Sequence, residues 1–116
     1  MELKQLLDLL EQSPGDVEFN GVIALIDSLY EFTPVAFTNG KQENSAGENS
    51  GSCKLFSFAR LQGLDEQQTL NCFGQFYQND VLKNPDGVNH QNIRNFIQTG
   101  WDGISFQGDA LTQRDV

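Results

Sequence analysis

The chain has 116 residues, of which 16 are acidic and 7 are basic, giving a net charge of −9. This length predicts one domain around a single core, and a hydrophobic content of 38% with nine phenylalanines excludes an intrinsically disordered chain. The acidic balance argues against a nucleic-acid partner or an anionic membrane surface, because both of these bind dense positive charge.

The first ten residues, MELKQLLDLL, predict a helix, because the leucines recur at the spacing of one helix face. They lack the basic segment and the long apolar core of a secretory signal. No run in the chain approaches the roughly 18 apolar residues that a membrane helix needs. The two cysteines, Cys53 and Cys72, fit neither a metal-ligand pattern nor a disulfide framework. We therefore expect a cytoplasmic protein with free thiols.

The second predicted helix begins at Ser13 and reaches about Tyr30. Ser13 is of a residue type favoured at N-caps, and Pro14 suits the first helical position, where its missing N–H costs nothing. Pro34 ends the helical region, because a proline restricts the residue before it.

A short hairpin is predicted next. Residues 35–38 are β-branched or aromatic at alternate positions, and the Asn39-Gly40 pair that follows is a strong hairpin turn signal. Residues 41–44 are too polar for a central strand, so they are predicted to form an edge strand.

Two further helices have clear boundary signals. One is predicted to run for about ten residues from Ser52 to a C-terminal cap at Gly63. The next opens at Asp65, with Gln68 completing a capping box, and its apolar face continues to Val81.

The last predicted helix is capped by Asn89 and ends at Gly100. Residues 101–108 suggest a short strand that pairs with the hairpin near Phe37, and beyond Ala110 we expect a frayed tail. The predicted fold class is α+β: a mainly helical single domain over residues 1–116, with about five helices and a small two- to three-stranded antiparallel sheet.

Two polar clusters carry the residues with chemical potential. The first polar cluster, residues 44–54, is a loop rich in Asn, Ser and Gly that runs into Cys53 and Lys54. The second polar cluster, residues 84–95, contains His90, the single histidine, and Arg94 one helical turn later. We expect these two clusters to provide a binding surface.

Three segments carry a resemblance to a known family: FTPVAFTNG (32–40), ENSAGENSGSCKLFSFA (43–59) and DVLKNPDGVNHQNIRNFIQTGWDGISF (80–106). They resemble the HopJ type III effector family, and the resemblance extends over nearly the whole chain. It implies a small bacterial protein delivered into a eukaryotic host cell by type III secretion. It implies no activity and no catalytic residue, so no site is carried over from it.

The expected location differs from the one that the family name implies. Type III passengers tend to begin with a flexible, Ser-rich and acid-poor segment, whereas Glu2 and Asp8 lie within a patterned leucine helix. We therefore expect a binding domain resident in the bacterial cytoplasm, with a secreted effector as the alternative.

The second alternative is a small hydrolase or transferase with a cysteine nucleophile. Cys53 near a helix N-terminus would have its thiolate stabilised by the helix dipole. His90 could act as its base, oriented by Asn92, Asn95 or Asp102. Structural roles for the thiol and the imidazole are the competing interpretation.

Anion binding is a further hypothesis. Backbone N–H groups at the start of a helix, together with the Lys54 ammonium, could hold a phosphate or carboxylate. The competing interpretation is a structural loop. The candidate ligand-binding residues are Asn49, Ser50, Gly51, Ser52, Lys54, Asn89 and Arg94.

The remaining hypotheses are metal binding and protein docking. One histidine, His90, with scattered carboxylates at Asp80, Asp86 and Asp102 is not the dense pattern of a zinc site, so no metal and no cofactor is predicted. An acidic surface with exposed aromatic residues, such as Tyr77 or Trp101, could dock a basic protein. The expected partner is an unknown protein or a small anionic ligand, and the expected state is a monomer or weak dimer.

Overall fold

The computed structural model describes residues 1–114, and 55% of the chain is helical. Six helices lie within the described residues, which confirms the predicted α+β class. They are α1 (Leu3–Gln12), α2 (Phe19–Leu29), α3 (Ser50–Gln62), α4 (Glu66–Asn71), a π-helical segment (Phe76–Val81) and α5 (Gln91–Thr99). Short 3-10 turns lie at Pro14–Asp16 and Gly100–Gly103. No helix in this part of the chain has the length and apolarity to cross a membrane.

A three-stranded antiparallel sheet confirms the predicted hairpin. Its strands are β2 (Phe37–Asn39), β3 (Gln42–Asn44) and β4 (Ile104–Phe106), in the order β3-β2-β4. Phe37 lies opposite both Asn44 and Phe106. The C-terminal strand therefore pairs with the hairpin at the residue named from the sequence.

A second sheet was not predicted. Strand β1 (Tyr30–Phe32) pairs antiparallel with β5 (Leu111–Gln113). Helix α2 accordingly ends at Leu29, and Tyr30 belongs to a strand. The expectation of a frayed tail after Ala110 is wrong for Leu111–Gln113, because ladder hydrogen bonds hold these residues; residues 115 and 116 lie outside the described part.

Two predicted helices are shorter than expected. Ser13 does not cap α2 but precedes the 3-10 turn, and α2 itself starts after Glu18. The helix predicted from Asp65 to Val81 is interrupted at Gly74, whose φ is +60°. A Cβ there would lie 2.8 Å from the Phe19 backbone nitrogen, so the glycine permits close contact with the start of α2.

Two helix boundaries are confirmed. Gly63 ends α3 in the left-handed conformation, with φ of 69°. Asp65 caps α4 by accepting a hydrogen bond from the Gln68 backbone N–H at 2.7 Å, and the Gln68 side chain accepts from the Asp65 N–H at 3.0 Å.

The core is centred on Phe56, which is fully buried on α3. Its ring centroid lies 4.9 Å from that of Phe96, 5.4 Å from that of Phe73 and 6.4 Å from that of Trp101. These distances are typical of favourable aromatic pairs. Trp101 is half-buried and donates its indole N–H to the Leu64 carbonyl at 3.1 Å. The core therefore ties α3 to α5 and to the turn that follows α5.

A candidate binding cleft between two helix N-termini

A cleft of about 380 Å³ lies where the first turns of α3 and α5 approach the hairpin and the start of α2. It brings residues of the first polar cluster together with residues of the second. The sequence alone did not show whether these two clusters meet. No Lys, Arg, Asp or Glu lines this cleft within residues 1–114. Its lining residues are Phe19, Gln42, Asn49, Gly51, Ser52, Phe73, Phe76, His90, Gln91, Asn92 and Ile93.

A buried amide network forms one side of the cleft and joins the two clusters. Asn44 Oδ1 accepts hydrogen bonds from Asn49 Nδ2 at 2.7 Å, from Asn92 Nδ2 at 3.1 Å and from Gln42 Nε2 at 3.2 Å. Asn39 Nδ2 donates to the Asn92 carbonyl at 2.8 Å and to Asn92 Oδ1 at 3.0 Å. The network fixes the hairpin and both helix starts relative to one another.

The N-caps of α3 and α5 share an unusual backbone conformation. Asn49 and His90 both have φ of 52°, and among the described residues they are the two non-glycine positions with positive φ. N-cap residues normally have extended backbone and use their side chains to accept a hydrogen bond from the first helical turn. Neither residue does so here, because Asn49 donates to Asn44 and His90 pairs with Asp80. The first-turn N–H groups of both helices therefore have no side-chain cap.

His90 is held from two sides. Its Nε2 lies 3.0 Å from Asp80 Oδ2, and its ring lies against Phe76, with 5.1 Å between the ring centroids. Both partners belong to the π-helical segment, a rare geometry that is frequent at functional sites. The pairing fixes the orientation of the imidazole at the edge of the cleft.

Cys53 does not line the cleft. It is 2% exposed, its Sγ lies 3.9 Å from the Val35 carbonyl oxygen, and burial raises the pKa of its thiol. A nucleophilic cysteine needs a stabilised thiolate, which is the opposite shift. The geometry therefore does not support Cys53 as a nucleophile with His90 as its base. Cys72, also a free thiol, is fully buried as well.

The two cationic side chains predicted to bind a ligand, Lys54 and Arg94, also do not line the cleft. Lys54 Nζ pairs with Asp27 Oδ1 at 2.9 Å and lies 5.0 Å from the Phe32 ring centroid. Arg94 donates to the Asn89 carbonyl at 2.6 Å, to Asn89 Oδ1 at 2.8 Å and to the Asn84 carbonyl at 2.8 Å. Arg94 therefore holds the turn before α5 in place.

Three further sequence predictions need correction. Asn89 is not the N-cap of α5; His90 is, and the Asn89 side chain binds Arg94 instead. Asp102 is exposed in the 3-10 turn after α5 and does not line the cleft. Tyr77 is only 7% exposed, so it is not available as a docking residue.

Several cleft residues were missed by the sequence analysis. Phe19, Phe73 and Phe76 form an aromatic wall, with ring centroids 6.1 Å apart for Phe19 and Phe73 and 5.1 Å apart for Phe19 and Phe76. Their hydrophobicity identified them only as core candidates. Gln42 was assigned to an edge strand, and nothing in its neighbourhood signalled that its side chain reaches the amide network.

Within residues 1–114, no group of three or more His, Cys, Asp or Glu side chains is placed to hold a metal ion. The chemistry that the cleft offers is therefore hydrogen bonding from amides and backbone N–H groups, contact with aromatic rings, and the hydroxyl and imidazole of Ser52 and His90.

Comparison with known proteins agrees with the fold and the family resemblance. The family model described as HopJ type III effector protein matches residues 3–111. A solved chain described as "Crystal structure of unknown function protein VPA0580" is 54% identical and superposes with a TM-score of 0.95, covering 98% of this chain and 95% of that chain. No curated protein matches. The resemblance inferred from the three quoted segments is thereby confirmed.

Proposed function

The chain belongs to the HopJ type III effector protein family, and from this premise we propose that it is a cytoplasmic binding domain whose cleft takes a small carboxylate with a flat apolar body. The observation that carries the proposal is the convergence of two uncapped helix N-termini, α3 and α5, on one cleft with an aromatic wall.

The carboxylate end of the ligand is inferred from the helix starts. First-turn N–H groups that no side chain caps need acceptors, and the positive end of the helix dipole favours a negative one. Gly51 and Gln91, at the first turns of α3 and α5, both line the cleft. Because Lys54 and Arg94 are engaged elsewhere, the charge of the ligand would be met by backbone dipoles and neutral amides.

The flat apolar body is inferred from the wall opposite. Phe19, Phe73 and Phe76 present rings to the cleft, and the His90 ring continues that surface. A planar ligand gains contact area against such rings without losing many rotatable bonds.

The cost of this architecture supports a functional role. A non-glycine residue in the left-handed region costs on the order of 1 kcal/mol or more, and such residues cluster at ligand sites. Asn49 and His90 both adopt this conformation at the edge of the cleft, and the π-helical segment adds a third irregular element there.

The test is a titration with benzoate and with benzamide, which has a similar shape and no charge, followed by two-dimensional NMR of the ¹⁵N-labelled protein. Benzoate is expected to shift the backbone amide signals of Gly51, Ser52, Gln91 and Asn92, and benzamide to bind more weakly. Shifts scattered over the surface, or none, would contradict the proposal.

A matched pair of variants sharpens the test. Gln91→Glu places a negative charge at the first turn of α5 beside the cleft, and it should weaken benzoate binding by roughly 3- to 30-fold while leaving benzamide binding unchanged. Gln98→Glu adds the same charge near the end of the same helix, away from the cleft, and should leave both affinities unchanged. Equal effects of the two variants would show that only net charge matters.

Residence in the bacterial cytoplasm is part of the proposal. Its support is that Cys53 and Cys72 are both free and buried, as expected in a reducing compartment. The family description reads type III effector protein, and delivery into a host cell is the alternative. A translocation reporter fused to the chain in a strain with a type III apparatus distinguishes the two, because retention in the bacterium is expected and export would overturn it.

A further inference from the structure

We propose that the cleft also catalyses acyl transfer, with Ser52 as the nucleophile, His90 as its general base and Asp80 as the residue that positions His90. The substrate class is an ester of the carboxylate that the proposed function places in this cleft. The inference therefore rests on that function and goes beyond it, since binding does not require the hydroxyl to react.

Ser52 lines the cleft, whereas Cys53 and Lys54 do not. It lies in the first turn of α3, and the two residues after it point to the core and to Asp27 respectively. The nearby hydroxyl of Ser50 is already engaged, since it donates to the Gly47 carbonyl at 3.2 Å. Among the hydroxyl and thiol groups of the first polar cluster, Ser52 is therefore the one that the fold presents at the cleft together with His90.

His90 has the support that a general base requires. Asp80 Oδ2 lies 3.0 Å from Nε2, so the carboxylate fixes the orientation of the ring. Contact with Phe76 fixes the plane of the ring. With Nε2 bound to Asp80, Nδ1 is the nitrogen left to accept the serine proton.

The oxyanion would be stabilised by backbone N–H groups at the two helix starts. The first-turn N–H groups of α3 and α5 open into the same cleft, and neither set is capped by a side chain. Donors aimed at a developing negative charge are the usual source of stabilisation in acyl transfer.

The reaction proceeds in two balanced steps. Ser52 Oγ attacks the carbonyl carbon of the ester, its proton passes to His90, and the carbon–oxygen bond to the alcohol breaks as that alcohol takes the proton from His90. Water then attacks the acyl-serine, gives its proton to His90, and releases the carboxylic acid as the same proton returns to Ser52. No oxidant, reductant or metal enters the balance.

The experiment uses a fluorophosphonate probe, which a reactive serine attacks at phosphorus with loss of fluoride, and p-nitrophenyl acetate as an ester substrate. The intact protein should be labelled once, and peptide mass spectrometry should place the label on Ser52. Ser52→Ala should abolish labelling and ester hydrolysis, whereas Ser105→Ala, at an exposed position of β4 outside the cleft, should retain both. Labelling on another residue, or none above the Ser52→Ala level, would overturn the proposal.

Variants of the two supporting residues test their roles. His90→Asn, which suits the left-handed backbone, should slow labelling by about 100-fold or more. Asp80→Asn should slow labelling less, because Nε2 of His90 loses the carboxylate that fixes the ring, and Asp80→Glu, which keeps a carboxylate at this position, should recover most of the lost rate. Equal labelling rates in Asp80→Asn and Asp80→Glu would overturn the assignment of Asp80 as the residue that positions His90.

The failure of this inference is distinguishable from failure of the proposed function. If benzoate binds and also protects against labelling, both stand. If benzoate binds and Ser52 is unreactive, the cleft binds a ligand without catalysis and the acyl-transfer inference is wrong. If Ser52 reacts but benzoate neither binds nor protects, the carboxylate proposal is wrong.

Discussion

Substitution of Asn44 by alanine should cost this protein about 3–4 kcal/mol of unfolding free energy. Three hydrogen bonds to Asn44 Oδ1 are lost, from Asn49 at 2.7 Å, Asn92 at 3.1 Å and Gln42 at 3.2 Å. Each contributes about 1 kcal/mol net. The two bonds from Asn44 Nδ2, to the Phe37 carbonyl at 3.3 Å and to Asn92 Oδ1 at 3.4 Å, are long and add little. Asn92 Nδ2 is then left buried without its partner, which adds about 1 kcal/mol.

Urea unfolding followed by circular dichroism measures this difference, with an unchanged m-value as the sign that the denatured state is unaffected. The matched control is Asn95→Ala. Asn95 is half-buried and makes a single side-chain bond within the same group of amides, to Gln42 Oε1 at 3.2 Å, so the variant should lose less than about 1 kcal/mol. A loss in Asn44→Ala no larger than that in Asn95→Ala would refute the view that Asn44 joins the hairpin to both helix starts.

Two further predictions concern backbone and burial. Gly74→Ala should lower the free energy of unfolding by about 2–4 kcal/mol, because Gly74 has a φ of +60° and an added Cβ would lie only 2.8 Å from the Phe19 nitrogen. Gly47→Ala is the control: Gly47 has a φ of +88° and nothing within 4 Å of an added Cβ, so this variant should lose only about 1 kcal/mol. Equal losses in urea unfolding would contradict the close approach at Gly74. Burial raises the pKa of Cys72 from 9.0 to about 12 and that of Cys53 in the same direction, so the folded thiols keep their protons at a pH where the unfolded chain loses them. Stability should therefore be full below about pH 9 and fall as the pH rises towards 12. The decline between pH 8 and pH 10 should be smaller in Cys72→Ala than in the unsubstituted protein. An identical decline in the two proteins would be evidence against the Cys72 thiol as a cause.

Structural features that depend on residues close together in the chain could be predicted from the sequence. The Asn39-Gly40 pair set the hairpin, Gly63 ended α3, and Asp65 with Gln68 opened α4, all as expected. Each of these depends on backbone groups within about four residues, so composition is enough to identify it.

The second sheet and the π-helical segment depend on distant parts of the chain. Tyr30–Phe32 alternates over only three residues, which is too short to mark a strand, and it becomes one because Leu111–Gln113, from the other end of the chain, pairs with it. Gly74 breaks a helix whose apolar pattern continues past it, because the start of α2 approaches its backbone. Neither contact leaves a local trace in the sequence.

The sequence by itself determined the α+β class, the hairpin, the boundaries at Gly63 and Asp65 and the two polar clusters, because these follow from local hydrogen bonding and hydrophobic period. Only the tertiary structure decided which cluster residues face the cleft. Successive residues of a helix turn by about 100°, so Ser52, Cys53 and Lys54 point to the cleft, to the core and to Asp27. The direction of each side chain depends on where the rest of the fold places the helix. For that reason the sequence identified the loop beside the cleft but favoured the buried Cys53 as the candidate nucleophile, whereas Ser52 is the residue that lines the cleft.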